Sequence, residues 1–355
     1  MPQTTPTTDL NVVDSLATSL GANVAAPVLE IEQLKMHYPV TRGMTERLAR
    51  RPKRFVHAVD GVSFSVAPGE MLALVGESGC GKTTTAQAVL RMVKPTAGEV
   101  RFEGTDLSTL SQRKLRPLRR RLQMIYQDPY ESLDPRFRVR QTIEEPMLIH
   151  GIGGSAKERR QKTIEALERV GLTPAELYLD RYPHGMSGGQ RQRVAIAASL
   201  VLDPVLLIAD EPVSMLDVSV RAGVLSLLDG LRRQHDLGIL MITHDLATAS
   251  HFADRIAVMY LGRIVETGPI KEVIRNPQHP YTKALLSVVP QRDPRKMVKP
   301  LILSGEIPSP IDLPTGCRFR TRCPLAEERC GQIDPELRTA VAAKGDDHTV
   351  ACILA

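Results

Sequence analysis

Eight residues carry the clearest chemistry in the chain. Gly76-Glu77-Ser78-Gly79-Cys80-Gly81-Lys82-Thr83 fits G-x-x-x-x-G-K-S/T, directly after the apolar run Met71 to Val75 and before a helical stretch from Thr84 to Met92. Glycines in such a loop let successive backbone N–H groups turn inward onto phosphate oxygens, and the following helix start adds its partial positive charge. Lys82 is spaced to reach the β- and γ-phosphates, and Thr83 to offer a hydroxyl to Mg2+. Cys80 sits at a variable place in the loop and reads as a small packing residue, not a nucleophile.

Two acids and a glycine pair add to this. Asp210-Glu211 closes the apolar run Val205 to Ala209. Beside a phosphate loop, Asp210 is placed to hold Mg2+, directly or through water, and Glu211 to face an attacking water as general base. Met186-Ser187-Gly188-Gly189-Gln190 has a complete local explanation, because Ser187 and Gln190 form a Ser-x-x-Gln capping box for a helix from Gly188 to Leu200. Two consecutive glycines are nonetheless poor helix formers, and they leave bare N–H groups that an anion can approach closely.

The elements that must position these residues can be read from periodicity. Met71 to Val75, Val205 to Ala209 and Ile239 to Ile242 are apolar runs that stop at polar residues, the pattern of buried parallel strands whose carboxyl ends bind ligands in open α/β sheets. Val28 to Ile31 and Val62 to Val66 alternate instead, as antiparallel strands do. Between residues of about 129 and 188 strand character is lost. Ser155 to Val170 is charged and helix-prone, with Gly171 as its stop, so this region reads as a helical subdomain inserted into the α/β core. After about Asn276 prolines accumulate, which marks a loop-rich C-terminal module. The expected division is a tail over 1–28, a core over 29–275 and this module over 276–355.

Composition bounds the function. The chain has 355 residues, 42% of them hydrophobic, enough for a substantial core. Its longest apolar runs fall well short of the roughly 20 residues a spanning helix needs, so membrane work must go through partners. The first 28 residues have no basic, signal-like leader and read as a disordered cytoplasmic tail. A net charge of +6 with no Trp and 4% aromatic residues gives few stacking platforms, and no nucleic-acid partner is expected. Thr41 to Arg54 holds six Lys and Arg against Glu46 alone, either a solvated loop or a docking surface. Four of the five cysteines lie in the last 39 residues and read as reduced thiols or metal ligands.

On Met186-Ser187-Gly188-Gly189-Gln190 the chain resembles the ABC ATPase family, whose signature is LSGGQ, with Met186 in place of Leu. Other elements of that family follow in order. Gln127, in Tyr126-Gln127-Asp128-Pro129, resembles the Q-loop glutamine that touches metal or water and connects to the membrane subunits. Ser214-Met215-Leu216-Asp217 resembles the D-loop, with Met215 where Ala is usual, and His244 resembles the switch histidine that contacts the γ-phosphate. Tyr38 resembles the aromatic residue on which adenine stacks; a core tyrosine is the competing reading. The resemblance implies an α/β fold with a RecA-like core, an antiparallel β subdomain and an inserted helical subdomain bearing the signature. It also implies an ATPase that works as a dimer, in which Ser187, Gly188, Gly189 and Gln190 serve the partner's nucleotide.

Met36 to Val40, Tyr182-Pro183-His184, Arg191-Gln192-Arg193 and Asn276 to Thr282 look like the dipeptide/oligopeptide importer ATPases. The run Asp217 to Arg221 and the basic insertion look most like the second of the two ATPase subunits of a dipeptide importer. That implies a heterodimer with a related ATPase subunit, two transmembrane permease subunits, an extracytoplasmic peptide-binding protein, and a place on the cytoplasmic face of the membrane. Cys317-x5-Cys323-x6-Cys330-x21-Cys352 lacks tight C-x2-C pairs, and four thiols suit zinc or an iron–sulfur cluster. The subfamily resemblance points to a [4Fe–4S] cluster that staples the tail. Alternative readings are an importer ATPase for glutathione, nickel or opines, a soluble ABC ATPase, and a small-molecule kinase. A single P-loop without heptads speaks against the second, and the Ser187-Gly188-Gly189 segment against the third.

Overall fold

The computed structural model describes residues 26–42, 52–128, 132–289, 300–340 and 347–355. Most of the tail expected at 1–28 and most of the basic insertion at 41–54 lie outside the described residues. Val28, assigned to that tail, is already buried and donates its N–H to Val66 O.

Two sheets organise the chain. Strands β1 (Leu29–Pro39), β2 (Phe55–Val66), β4 (Ala97–Phe102) and β5 (Thr105–Asp106) form an antiparallel sheet in the order β2-β1-β4-β5. Among the described residues the second sheet has eight strands. Its parallel centre comprises β3 (Met71–Val75), β6 (Leu122–Ile125), β7 (Leu206–Asp210), β8 (Gly238–Thr243) and β9 (Arg255–Tyr260). The order runs β9-β3-β8-β7-β6, and β10 (Arg263–Pro269), β11 (Arg338–Thr339) and β12 (Thr349–Val350) extend it antiparallel beyond β9.

The apolar runs are continuous because the central strands are buried on both faces. Met71, Ala73 and Val75 enter one hydrophobic cluster with Leu207, Ile239 and Met241; Leu72 and Leu74 enter another with Ile208, Leu240 and the antiparallel sheet's Leu29 and Ile31. Two layers on one sheet leave no position for alternation with polar residues. The first cluster also takes in the helical subdomain. Helices α3 (Val139–His150) and α4 (Ala156–Arg169) contribute Val139, Ile143, Ile164 and Leu167, which join Val194 and Ala197 of α6 (Gly188–Leu200). Helix α4 starts on the Ser155 side chain, which accepts from Glu158 N–H, and stops at Gly171 with φ +72°.

Helices α1 (Lys82–Val89) and α2 (Gln112–Arg121) precede this region, the short α5 (Glu176–Leu179) lies within it, and α7 (Val218–His235) and α8 (Leu246–Phe252) follow it. The last helices among the described residues are α9 (Ile270–Arg275) and α10 (Pro280–Ser287), apart from a single 3-10 turn at Glu328–Gly331. Beyond them the chain is loop-rich but docked. Val350 pairs with Glu266 of β10, and Phe319 is buried against Tyr260 and Tyr281 with ring centroids 5.1 and 5.5 Å away. Its final strand therefore continues the core sheet. No described helix is long and apolar enough to cross a membrane.

Candidate functional site

Four neighbouring parallel strands deliver the site. β3 runs into the phosphate loop, β8 into His244, β7 into Asp210-Glu211 and β6 into Gln127, all at carboxyl ends. Three of these strands were legible as apolar runs. The fourth, β6, has four residues behind an Arg-rich helix end, too short to show a period.

The loop is held from within. Lys82 is buried and its Nζ donates to the carbonyls of Gly76 at 2.7 Å and Glu77 at 2.9 Å. Gly76 has no room for a side chain, since a Cβ there would lie 2.2 Å from Met259 O. Cys80 is buried and burial pushes its thiol pKa up, consistent with a packing role. Ser78, Gly79 and Thr83 are exposed and Thr84 partly so, leaving the outer side of the loop open.

Asp210 is 3% exposed and its Oδ1 has no hydrogen-bond partner, while the side chain is bonded to Thr83. Burial raises its pKa, opposed by Thr83. A buried carboxylate oxygen without a partner, beside a hydroxyl, is the donor set a hard cation takes. Glu211 follows in left-handed backbone conformation, φ +45°. Its Oε2 accepts from Gln127 Nε2 at 3.1 Å and its Oε1 lies 3.0 Å from His244 Nδ1. Three residues widely separated in sequence thus meet at one carboxylate.

The remaining nucleotide-motif residues stand apart from that network. Ser187 caps α6, accepting from Gln190 N–H at 3.3 Å while its own N–H donates to Gln190 Oε1 at 3.1 Å. The expected capping box is therefore present. Gly188 is partly exposed, but Gly189 is buried, and a Cβ on it would fall 2.4 Å from Val220 Cγ1. Asp217 lies exposed at the start of α7, next to Met215, which is 60% exposed. Tyr38 is paired across the sheet with Val56 and packs partly against the second core cluster.

The Cys317 N–H donates to Cys330 O at 2.8 Å, joining two of the four C-terminal cysteine segments. Cys317 senses the charge of Cys352, Cys330 and Cys323, and burial pushes its thiol up to about 11. Each sulfur accepts a backbone N–H: Phe319 to Cys317, Leu325 to Cys323, Glu327 to Cys330 at 3.5 Å, and Leu354 to Cys352 at 3.4 Å. Such bonds stabilise thiolate sulfur in metal and cluster sites. His37, His57 and Asp60 do converge, with His37 Nε2 3.0 Å from Asp60 Oδ1 and 3.2 Å from His57 Nδ1. Burial raises the pKa of Asp60, but Arg318 and His37 outweigh it and hold the carboxyl at about 2, so its charge is already matched by Arg318 with Arg263 nearby.

Two residues that touch the loop were not foreseen. Tyr281 Oη accepts from Glu77 N–H at 2.9 Å, and Arg322 bonds both carboxylate oxygens of Glu77 at 2.7 and 3.1 Å. Tyr281 lies in the Asn276 to Thr282 run, yet nothing local in that run points to residue 77.

This arrangement of phosphate loop, acid pair and converging glutamine and histidine is that of an ABC ATPase. The ABC transporter family matches residues 59–214, and the oligopeptide/dipeptide transporter C-terminal region matches residues 265–330. The oligopeptide transport ATP-binding protein AppF of Bacillus subtilis is 46% identical over 92% of this chain and 97% of its own. The dipeptide transport ATP-binding protein DppF of Escherichia coli is 46% identical over 89% of this chain and 92% of its own. The dimeric post-hydrolysis structure of the ATP-binding cassette MJ0796 with ADP and Pi superposes with a TM-score of 0.59 at 26% identity, covering 68% of this chain and 98% of that one. The chain belongs to the ATP-binding proteins of oligopeptide and dipeptide ABC transporters, ATPases that hydrolyse ATP to drive transport.

Proposed function

We propose that this chain is the ATP-hydrolysing subunit of a di- or oligopeptide importer, acting from the cytoplasmic face of the membrane with a second, related ATPase subunit. The observation that carries the reading is the meeting of Gln127, Glu211 and His244 at the mouth of the loop that holds Lys82. Backbone N–H groups between Ser78 and Thr84 other than that of Cys80, with the start of α1, receive the phosphates, and Lys82 adds a point charge. Thr83, Asp210 and Gln127 would hold Mg2+, which neutralises phosphate charge when bound. Glu211 takes the proton of the attacking water, with Gln127 and His244 fixing its two oxygens. Ser187, Gly188, Gly189 and Gln190 face the partner's nucleotide, with Asp217 at the same junction, and Tyr38 stacks on adenine. Two permease subunits and an extracytoplasmic peptide-binding protein complete the complex.

In the assembled transporter Glu211→Gln should keep ATP binding, trap a closed dimer and lower turnover on the order of 100-fold or more. Unchanged turnover would remove Glu211 from the base role.

The C-terminal cysteines fit a [4Fe–4S] cluster held by Cys317, Cys323, Cys330 and Cys352. All four sulfurs already accept N–H groups. The role of the cluster is structural. Protein purified without oxygen should absorb near about 400 nm and carry iron; a colourless, iron-free sample that is fully folded would refute the assignment.

A further inference from the structure

The nucleotide site as read above leaves one contact without a task, the grip of the C-terminal segment on Glu77. Three groups hold the first two peptides of the phosphate loop. Lys82 takes the carbonyls of Gly76 and Glu77, Tyr281 Oη takes the Glu77 N–H, and Arg322 takes both oxygens of the Glu77 carboxylate. The last two come from 204 and 245 residues away in sequence.

The grip is built on a rigid base. Tyr281 is fully buried and Arg322 is 8% exposed, with the guanidinium 5.9 Å from the Tyr260 ring centroid. Tyr260, Tyr281 and Phe319 pack as one aromatic group, and Arg322 N–H donates to Phe319 O at 3.0 Å. A two-pronged, charge-assisted bond of this kind fixes direction as well as distance. It also has an electrostatic effect. Glu77 is an anion inside a loop that must receive a polyanion, and Arg322 cancels that charge where it stands.

We infer that Arg322 and Tyr281 are positioning residues for the phosphate loop, so that the affinity of this chain for ATP is set in part by its C-terminal segment. Tyr281 turns the Glu77 peptide away from the ligand, and the Cys80 N–H is turned back to Glu77 O at 3.3 Å, which leaves the other N–H groups from Ser78 onward to face the phosphates. Arg322 keeps the Glu77 carboxylate paired and out of their field.

The inference rests on the nucleotide-site reading, and one experiment separates the two. ATP binding is measured by calorimetry on the full-length chain with EDTA, so that no hydrolysis occurs, for the parent, Lys82→Ala, Arg322→Gln, Glu77→Gln with Arg322→Gln, and Tyr281→Phe. A parent that does not bind ATP, or binds it as Lys82→Ala does, would sink the site reading and the inference with it. With a binding parent, Arg322→Gln should weaken affinity about tenfold, and the double variant should return to within about threefold of the parent, because the uncancelled charge is gone. Tyr281→Phe, which deletes one oxygen inside a packed ring cluster, should weaken affinity about threefold with an unchanged melting temperature. It serves even where Arg322→Gln does not fold. Affinities of Arg322→Gln and Tyr281→Phe within twofold of the parent, or a double variant no better than Arg322→Gln alone, would overturn the positioning role.

Discussion

At Glu211 the chain accepts backbone strain at the carboxyl end of β7. A left-handed φ of +45° on a residue other than glycine costs about 1–3 kcal/mol and persists only where surroundings impose it. Here they do, through the Glu211 N–H to Ile242 O at 2.9 Å and the Ser214 hydroxyl to Glu211 O at 3.1 Å. The result aims a carboxylate at two partners that arrive from β6 and β8. A second residue stores energy differently. His279 is 1% exposed, accepts the Tyr281 N–H at Nδ1, gives its backbone N–H to Glu266, and packs its ring beside Phe319. Burial, with Lys283 adding to it, lowers its pKa from 6.5 to about 3. The unfolded chain therefore binds a proton that the folded one refuses. This ring contributes its stability in full above about pH 6.5 and loses about 1.4 kcal/mol per pH unit as pH falls toward about 3. Between about pH 7.5 and 5 the urea midpoint of the parent should fall more than that of His279→Asn, which keeps an acceptor for Tyr281 but cannot titrate. Equal falls in both proteins would show that the ring is not the titrating group.

Among the elements, α6 is the one whose glycines have two reasons to be there. Read from sequence, the pair leaves bare N–H groups for an anion. Packing adds a demand on the second, because Val220 of α7 touches the place its side chain would occupy. Valine is stiff about χ1 and cannot swing clear cheaply. Gly189→Ala should therefore destabilise the chain by about 1–3 kcal/mol in urea unfolding, while Gly188→Ala, whose Cβ would meet Leu216 at 3.4 Å, should cost about 1 kcal/mol or less. Comparable losses at both positions would mean that the helix start, not the α6–α7 contact, sets the requirement. Legibility followed the same division. Ser187 announced its helix because a capping box is local, and α6 begins where that serine places it; the charged stretch from Ser155 to Val170 read as helical from its periodic face, and α4 fills it. The short β6 had no such signal.

Over the whole molecule, what could be read was what lies close in sequence: the phosphate loop, the acid pair, and three of the four strands that feed the site. Gln127 and His244 needed the resemblance to a family, since a glutamine and a histidine after short strands have no chemistry of their own until Glu211 lies between them. Arg322 and Tyr281 escaped because their partner, Glu77, is remote in the chain, and an arginine in a proline-rich segment carries no record of what it will face. The C-terminal segment reads as a loop-rich module, while among the described residues β12 joins the core sheet and Cys317 and Cys323 pack against the main cluster.

The separation between Glu77 and Arg322 has a bearing on how the protein is made. At about 5–20 residues per second, a ribosome that has just released Glu77 needs roughly 12–50 s more to add the 245 residues that lead to Arg322. Throughout that interval the growing chain has a complete phosphate motif without its outer clamp. Until Arg322 is added, affinity for ATP should stay about tenfold below its final value, the loss expected for Arg322→Gln.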